Sequence, residues 1–353
     1  MTGAESKPPD KALPACDVVI VNWNSGRFLK ECLASIERYG DAVAKVVVVD
    51  NDSTDGSDRI GDPPGNLELI RPGRNLGFAA GCNLGAERCA SPYLLFLNPD
   101  ARLFDGSIGR TLAFMETEAA KDIGICGIRL IDDDGNTQPS CMNFPLLNTY
   151  FGQATGLDRL FPRLFTRLFA AADSHQSRLV DQVMGAFFLI RAELFRELGG
   201  FDERFFVYMD DVDLSLRARQ AGWHSYYFAE ASAFHKGGGT SEQIKALRLF
   251  YELQSRLLFG YKHFSRIRAW ALLLITVGIE PIARVGRALA RRSLAECRNI
   301  FRGYGMLIGS LPWIWEISRR QRRSASTDRP RAPMERNGRK VSGTRRLQDG
   351  KNA

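Results

Sequence analysis

Short, continuously apolar and β-branched runs recur through the first hundred positions, and each ends abruptly in polar or glycine-rich residues. CDVVIVN (16–22), AKVVVVD (44–50), Leu67 to Ile70 and YLLFL (93–97) are four such runs. After the first of them, Leu29, Leu33 and Ile36 stand at helical spacing. Continuous apolar strands alternating with helices predict an α/β fold with a mainly parallel central sheet, covered by helices on both faces. In such sheets a ligand binds beyond the carboxyl ends of the strands. The informative segments are therefore those directly after each run: NWNSG, DNDSTDGS, RPGRNLGFAAG and NPDA.

Further along, DDDGN (132–136) predicts a turn between extended segments, and residues 140–180 are aromatic and Arg-rich without a clear period, as in an insertion near an acceptor side. A helical segment is predicted at about 241–262, then two apolar runs, Ala269 to Ile279 and Gly303 to Trp315. Each run alone is short of the roughly 20 residues needed to span a bilayer. Between them Arg284, Arg287, Arg291, Arg298 and Arg302 would form one basic stripe on a continuous helix, and Trp270, Trp313 and Trp315 suit a headgroup boundary. The pattern divides the chain into a disordered N-terminus (1–14), a catalytic domain (15–262), a helical membrane-associating extension (263–318) and a basic disordered tail (319–353).

Charge changes this picture little. The net +8 is concentrated from Arg319 onward, where twelve Lys/Arg face three Asp/Glu. The remainder is close to neutral and calls for no nucleic-acid partner. Seven cysteines, an odd number without C-x-x-C spacing, indicate neither a zinc site nor a disulfide framework. The polar first residues carry no secretory h-region, so a cytoplasmic protein is expected. No G-x-G-x-x-G follows the first strand and no G-x-x-x-x-G-K-[ST] occurs, which sets aside dinucleotide oxidoreductases and P-loop enzymes.

Four constellations carry candidate chemistry. Asp50 and Asp52, at a strand end, can accept hydrogen bonds from a base or ribose, although Asn-Asp-Ser-Thr-Asp-Gly is also a good turn and N-cap sequence. Asp100, aimed by the turn Asn98-Pro99-Asp100, suits a divalent cation bridging two phosphates. Asp210, Asp211 and Asp213 open a helical segment; one Asp there needs only a capping role, whereas three invite a cation or a raised pKa. His235, before Lys236 and three glycines, can touch a metal or phosphate at the edge of a loop.

In this order the pieces VVIVNWNSG, VVVVDNDSTDGS, RNLGFAAGCNLG, YLLFLNPDA, GAFFLIRAELFRELGGFDERFFVYMDDVDLSLRARQAGW and the closing His-x-Gly-Gly resemble family-2 glycosyltransferases of the GT-A fold, particularly the rhamnosyltransferase-like branch. The resemblance spans about residues 16 to 240. It implies that Asn22, Asn24, Asp50 and Asp52 face the base and ribose of a nucleoside-diphosphate sugar, with Asn75, Gly77 and Asn83 lining the neighbouring pocket. It implies that Asn98 and Asp100 take the place of the D-x-D metal motif, with Asp100 and His235 as contacts to Mg²⁺ or Mn²⁺. Asp211 matches the catalytic base, and Asp210 stands where Glu is more usual. The implied activity is inverting transfer, with L-rhamnose from dTDP-L-rhamnose as donor and a lipid-linked or cell-envelope polysaccharide acceptor at the inner face of the membrane. A UDP- or GDP-sugar donor, or a non-catalytic sugar-nucleotide-binding protein, are the alternatives; a nucleotidyltransferase lacks its Gly-rich, basic loop after the first strand.

Overall fold

The computed structural model describes residues 13–40, 42–61, 65–165, 176–237 and 244–327. The four apolar runs are strands β1 (Cys16–Asn22), β2 (Val43–Asp50), β3 (Leu67–Ile70) and β4 (Tyr93–Leu97), all parallel in the order β3-β2-β1-β4. Helix α1 (Phe28–Tyr39) follows β1 and α2 (Phe78–Ala86) follows β3. Both faces of β1, β4 and the second half of β2 are buried, which explains why they read as unbroken apolar runs, whereas β3 at the edge is half-buried. Val18 and Ile20 pack with Leu29, Cys32 and Ile36 of α1, while Val19 and Val21 pack with Ala79 and Cys82 of α2 on the other face.

The second half is mixed. After β5 (Ala101–Leu103) and α3 (Gly109–Met115) come β6 (Ile123–Ile131), β7 (Thr137–Gln138), β8 (Cys141–Met142), α4 (Leu147–Thr155), α5 (Leu157–Leu160), β9 (Arg178–Val180) and β10 (Gln182–Val183). Next in the chain are β11 (Phe187–Arg191), α6 (Ala192–Glu197), α7 (Asp210–Gln220) and β12 (His224–His235). The sheet continues β4-β11-β6-β12-β5, with β11 antiparallel to both neighbours and β12 parallel to β6. Antiparallel β11 brings the Met184–Ala186 segment against the carboxyl end of β4, where Asn98 N–H donates to the Ala186 carbonyl at 3.1 Å. The DDDGN turn closes the β6–β7 hairpin, with Asp132 N–H donating to the Asn136 carbonyl.

Four C-terminal helices, α8 (Lys245–His263), α9 (Arg266–Leu274), α10 (Glu280–Ala290) and α11 (Leu294–Thr327), form a third apolar cluster with Tyr150 of α4, Phe205 and Val212. A π-turn at Ile275–Ile279 joins α9 to α10, so the first apolar run lies inside a continuous helix, Arg266–Ala290, of 25 residues. The expected basic stripe does not form. Arg292, with φ of 53°, breaks the path between α10 and α11, and Arg284 turns inward to Glu280 at 2.7 Å. The second run lies in α11, which extends helix through the start of the predicted tail. The rest of that tail, the first twelve residues and the glycines 238 and 239 lie outside the described residues. Among the described residues all seven cysteines are free thiols.

The outer face of these helices is apolar. Ile267 is 83% exposed, Ile282 75% and Phe301 67%, and the rings of Trp270 and Trp315 meet there at 5.4 Å. The inner face carries a buried ion network in which Arg256 of α8 contacts Glu280 at 2.5 Å and Glu252 at 3.1 Å.

Candidate active site

The carboxyl ends of β1 and β2 are braced together. Asn22 and Asp50 lie opposite each other in register, both buried, and Asn22 Nδ2 donates to Asp50 Oδ1 at 2.7 Å. Asn22 Nδ2 also reaches Ser53 Oγ and Ser57 Oγ, while Ser53 N–H donates to Asp50 Oδ2 at 3.1 Å. These two side chains thus organise the loops beneath the surface, and Asn24 and Asp52 form the rim. Both rim residues have positive φ (50° and 63°), a conformation Asn and Asp tolerate better than most residues. Asn24 Oδ1 accepts from Thr54 N–H at 2.7 Å, and Asp52 is exposed.

The loop before α2 is held from below by Asn51, which donates to the Gly77 carbonyl at 2.9 Å and accepts from Leu76 N–H at 3.4 Å. Asn75 Oδ1 accepts from Gly77 N–H at 2.9 Å. Gly77 has φ of 85°, and a Cβ there would sit 2.5 Å from the Phe206 carbonyl oxygen, so only glycine lets this loop meet the segment leading to α7. Asn83 binds both the N–H and the carbonyl of Phe201 at 2.9 Å and Glu203 at 3.0 Å, which makes it a clamp from α2 to that same segment.

Asn98, Asp100 and His235 come together at the turn between β4 and β5, where the end of β12 pairs with β5. His235 Nε2 lies 3.5 Å from Asp100 Oδ1 and 3.5 Å from Asn98 Nδ2, and Asp100 and His235 are both buried. Among the described residues no cluster of three or more His, Cys, Asp or Glu side chains encloses a metal position. Two protein donors fit a cation that takes its remaining ligands from a substrate diphosphate and water, as Mg²⁺ usually does.

The three acids of α7 separate completely. Asp213 is fully buried and meets Lys262 at 2.6 Å, His263 at 2.7 Å and Arg217 at 2.8 Å. Burial alone would raise its pKa, but the His263 hydrogen bond and the charges of Lys262 and Arg217 hold it below the usual carboxylate range. Asp211 faces the other way: Gly185 N–H donates to its Oδ2 at 3.0 Å and Val212 N–H to its Oδ1 at 2.8 Å. Asp210 is buried with Oδ2 unpartnered among the described residues. Burial raises the pKa of both, and the Asp211 charge lifts Asp210 further, well above the carboxylate range. Asp211 has two N–H donors to stabilise its anion, whereas Asp210 Oδ2 is unpartnered, so of the pair Asp210 is the more strongly biased toward its protonated form.

A single path of contacts links these parts: Asp211 to Gly185, Ala186 to Asn98, Asn98 to His235, and His235 to Asp100. Gly185 and Gln138, which bonds His235 Nδ1 at 3.0 Å, are contributors that motif reading does not single out.

The family model for glycosyl transferase family 2 matches residues 17–199, and that for glycosyl transferase family group 2 matches residues 148–315. The chain is 31% identical over 259 residues to the N-acetylglucosaminyl-diphospho-decaprenol L-rhamnosyltransferase of Mycobacterium tuberculosis (strain ATCC 25618 / H37Rv), covering 69% of this chain and 82% of that protein. Rhamnosyltransferase WbbL of Escherichia coli (strain K12) is 24% identical over 267 residues, covering 71% and 97% respectively. Among solved structures, that of GalNAc-T7 with UDP, GalNAc and Mn²⁺ aligns with a TM-score of 0.50 at 18% identity, over 71% of this chain and 48% of that one. This last likeness concerns the fold alone.

Proposed function

The chain belongs to glycosyl transferase family 2, in its rhamnosyltransferase branch, and is a hexosyltransferase of the GT-A fold; from that premise we propose that it moves L-rhamnose from dTDP-L-rhamnose to a hydroxyl of a lipid-linked, cell-envelope glycan, with inversion. The observation that carries the reading is the contact path from Asp211 through Gly185, Ala186 and Asn98 to His235 and Asp100. On this reading the base and the diphosphate-side pair lie at the same carboxyl end of β4. A UDP- or GDP-sugar donor remains the second reading, because donor choice turns on a few contacts at the rim formed by Asn24 and Asp52.

In the proposed reaction Asp211 takes the proton of the acceptor hydroxyl as its oxygen bonds to the anomeric carbon. The bond from that carbon to the donor phosphate breaks on the opposite face, and the nucleoside diphosphate leaves with the electron pair. Gly185 and Val212 N–H groups orient the carboxylate. Asp100 and His235 would hold Mg²⁺ or Mn²⁺, which when bound neutralises charge gathering on the leaving diphosphate. Asn98 Nδ2 is placed to donate to a phosphate oxygen, and the base and ribose would lie over the rim built on Asn22, Asp50, Asn75 and Gly77, with Asn83 as the clamp behind it.

We divide the chain functionally into a catalytic part (15–262) and a membrane-associating part (263–318), with α8 as the floor shared by both. The apolar face bearing Ile267, Trp270, Ile282 and Phe301, with Arg266, Arg268, Arg298 and Arg302 nearby in sequence, suits the inner face of an anionic bilayer. Helix Arg266–Ala290 is long enough to span a membrane. Its Glu280 and Arg284 are nonetheless paired with one another, and Glu280 with Arg256 of α8, which favours lying on the surface over crossing it. Co-sedimentation with vesicles containing anionic lipid checks this, and absence of binding at low salt would remove the membrane reading.

The experiment for the activity uses purified protein, Mg²⁺ or Mn²⁺, and a panel of dTDP-, UDP- and GDP-sugars, read by thermal shift and released nucleoside diphosphate. A metal-dependent response to dTDP-L-rhamnose that disappears in Asp100→Ala is expected. A response to another nucleotide class replaces the donor, and no response to any donor, with acceptor lipid present, leaves a non-catalytic binding protein.

A further inference from the structure

His235 meets Gln138 twice. Gln138 Nε2 lies 3.0 Å from the His235 carbonyl oxygen, and Gln138 Oε1 lies 3.0 Å from His235 Nδ1. The first contact orients the amide, because a carbonyl oxygen only accepts and the amide nitrogen must face it. The amide oxygen is therefore left for the ring. An oxygen of that kind cannot donate, so Nδ1 carries a proton, and in the neutral ring Nε2 is then left with its lone pair. That lone pair lies 3.5 Å from Asp100 Oδ1, in a place where both groups are buried. Asn98 Nδ2 is a long donor to it at 3.5 Å, and a lone pair turned toward a buried carboxylate suits a cation between them.

The hairpin that motif reading treats as a plain turn supplies this arrangement. Gln138 sits opposite Leu130 in the β6–β7 ladder, and Asp133 of the turn pairs with Lys236, the residue after His235. Gly237, with φ of 71°, lies over the pair; a Cβ there would be 3.6 Å from Gln138 Nε2. Both amide atoms of the glutamine meet the histidine, and the residue after the histidine is held from the same hairpin.

We propose that Gln138 is a positioning residue that locks His235 in its Nδ1–H tautomer and so prepares Nε2, with Asp100, as a half-site for a divalent cation and diphosphate. The proposal rests on the reading of Asp100 and His235 given above. A hydrogen-bond acceptor behind a metal-binding imidazole orients the ring and typically changes metal affinity by about 10- to 100-fold.

The test compares wild type, Gln138→Met, which is similar in length but neither accepts from Nδ1 nor donates to the carbonyl, and Gln138→Glu, which retains the acceptor. Long-range ¹H–¹⁵N spectra of ¹⁵N-histidine-labelled protein, with His235 assigned through His235→Asn, read the tautomer. Mn²⁺ binding with dTDP, followed by the electron paramagnetic resonance of free Mn²⁺, reads the half-site, and thermal unfolding checks the fold. The expected result is the Nδ1–H form in wild type and Gln138→Glu, roughly tenfold weaker Mn²⁺ binding in Gln138→Met, and little change in Gln138→Glu. An Nε2–H tautomer in wild type, or equal Mn²⁺ affinity in wild type and a folded Gln138→Met, overturns the proposal. If wild type holds no Mn²⁺ with dTDP while Asp100→Ala behaves identically, the cation reading falls, and with it the half-site.

Discussion

Two sides of the first turn of α7 bury carboxylates in opposite ways. On one side Asp213 is surrounded by Lys262, His263 and Arg217. On the other, Asp210 and Asp211 have no cation within ion-pair distance among the described residues; two backbone N–H groups hold Asp211, and burial with the charge of Asp211 raises the pKa of Asp210. The helix start favours acids on both sides alike, so the difference lies in what packs against them. A carboxylate balanced by Lys262 and Arg217 and hydrogen-bonded to His263 serves to hold α7 to the end of α8. A carboxylate left with two N–H donors and a raised pKa keeps the basicity a proton acceptor needs.

The largest expected effect falls on the unbalanced side. Asp211→Asn keeps the shape and can still accept from Gly185 N–H, but cannot take a proton. Transfer should drop roughly 10³-fold, within the range for a general base, while donor binding and the unfolding midpoint stay near wild type. The checks are turnover, thermal shift with donor, and circular dichroism. Turnover within about tenfold of wild type would move the base elsewhere and dissolve the contrast.

The balanced side should answer in stability. Asp213→Asn leaves Lys262, His263 and Arg217 facing a neutral group, and breaking a buried pair of this kind costs about 3 kcal/mol. Denaturant unfolding should show that loss, while activity per folded molecule is retained. The pH sign is fixed by the lowered pKa of Asp213. Its contribution is complete above the unfolded value of about 3.9 and is lost as pH falls through the lower folded value. The variant should therefore differ most from wild type near neutrality and converge with it in strong acid.

The same contrast marks how far the sequence could be read. β1, β2 and β4 are legible because they are buried on both faces, so nearly every position is apolar. The three aspartates are legible as a cluster, but not their division of labour, since Lys262 and His263 arrive from another helix about fifty residues away. Helix Arg266–Ala290 is hidden for a related reason. Glu280 and Arg284 interrupt its apolar pattern, and only the fold reveals that they pair with each other and with Arg256. Asn22 and Asp50 read as ligand contacts, yet strand register sets them against each other as a brace. Gln138 carries no motif at all; its place depends on the register of a two-residue strand.

The smallest effect is the most discriminating within the acid pair. If the proton resides on Asp210, Asp210→Asn replaces one neutral group by another, and turnover near neutrality should fall by less than about fivefold, which is under about 1 kcal/mol of barrier. The acid limb of kcat/KM should stay where it is. That limb reports ionisation of Asp211, whose burial raises its pKa, so activity is lost as pH falls through a value above the ordinary carboxylate range. Any alkaline step that ionisation of Asp210, raised well above that range, gives the wild type should be absent from the variant. A pH–rate profile of both proteins over the stable range checks this. Were the proton on Asp211 instead, the wild-type base would be idle near neutrality, and Asp210→Asn would move the acid limb downward by about a unit or more; that outcome reverses the roles of the two acids while leaving Asp213 where it is.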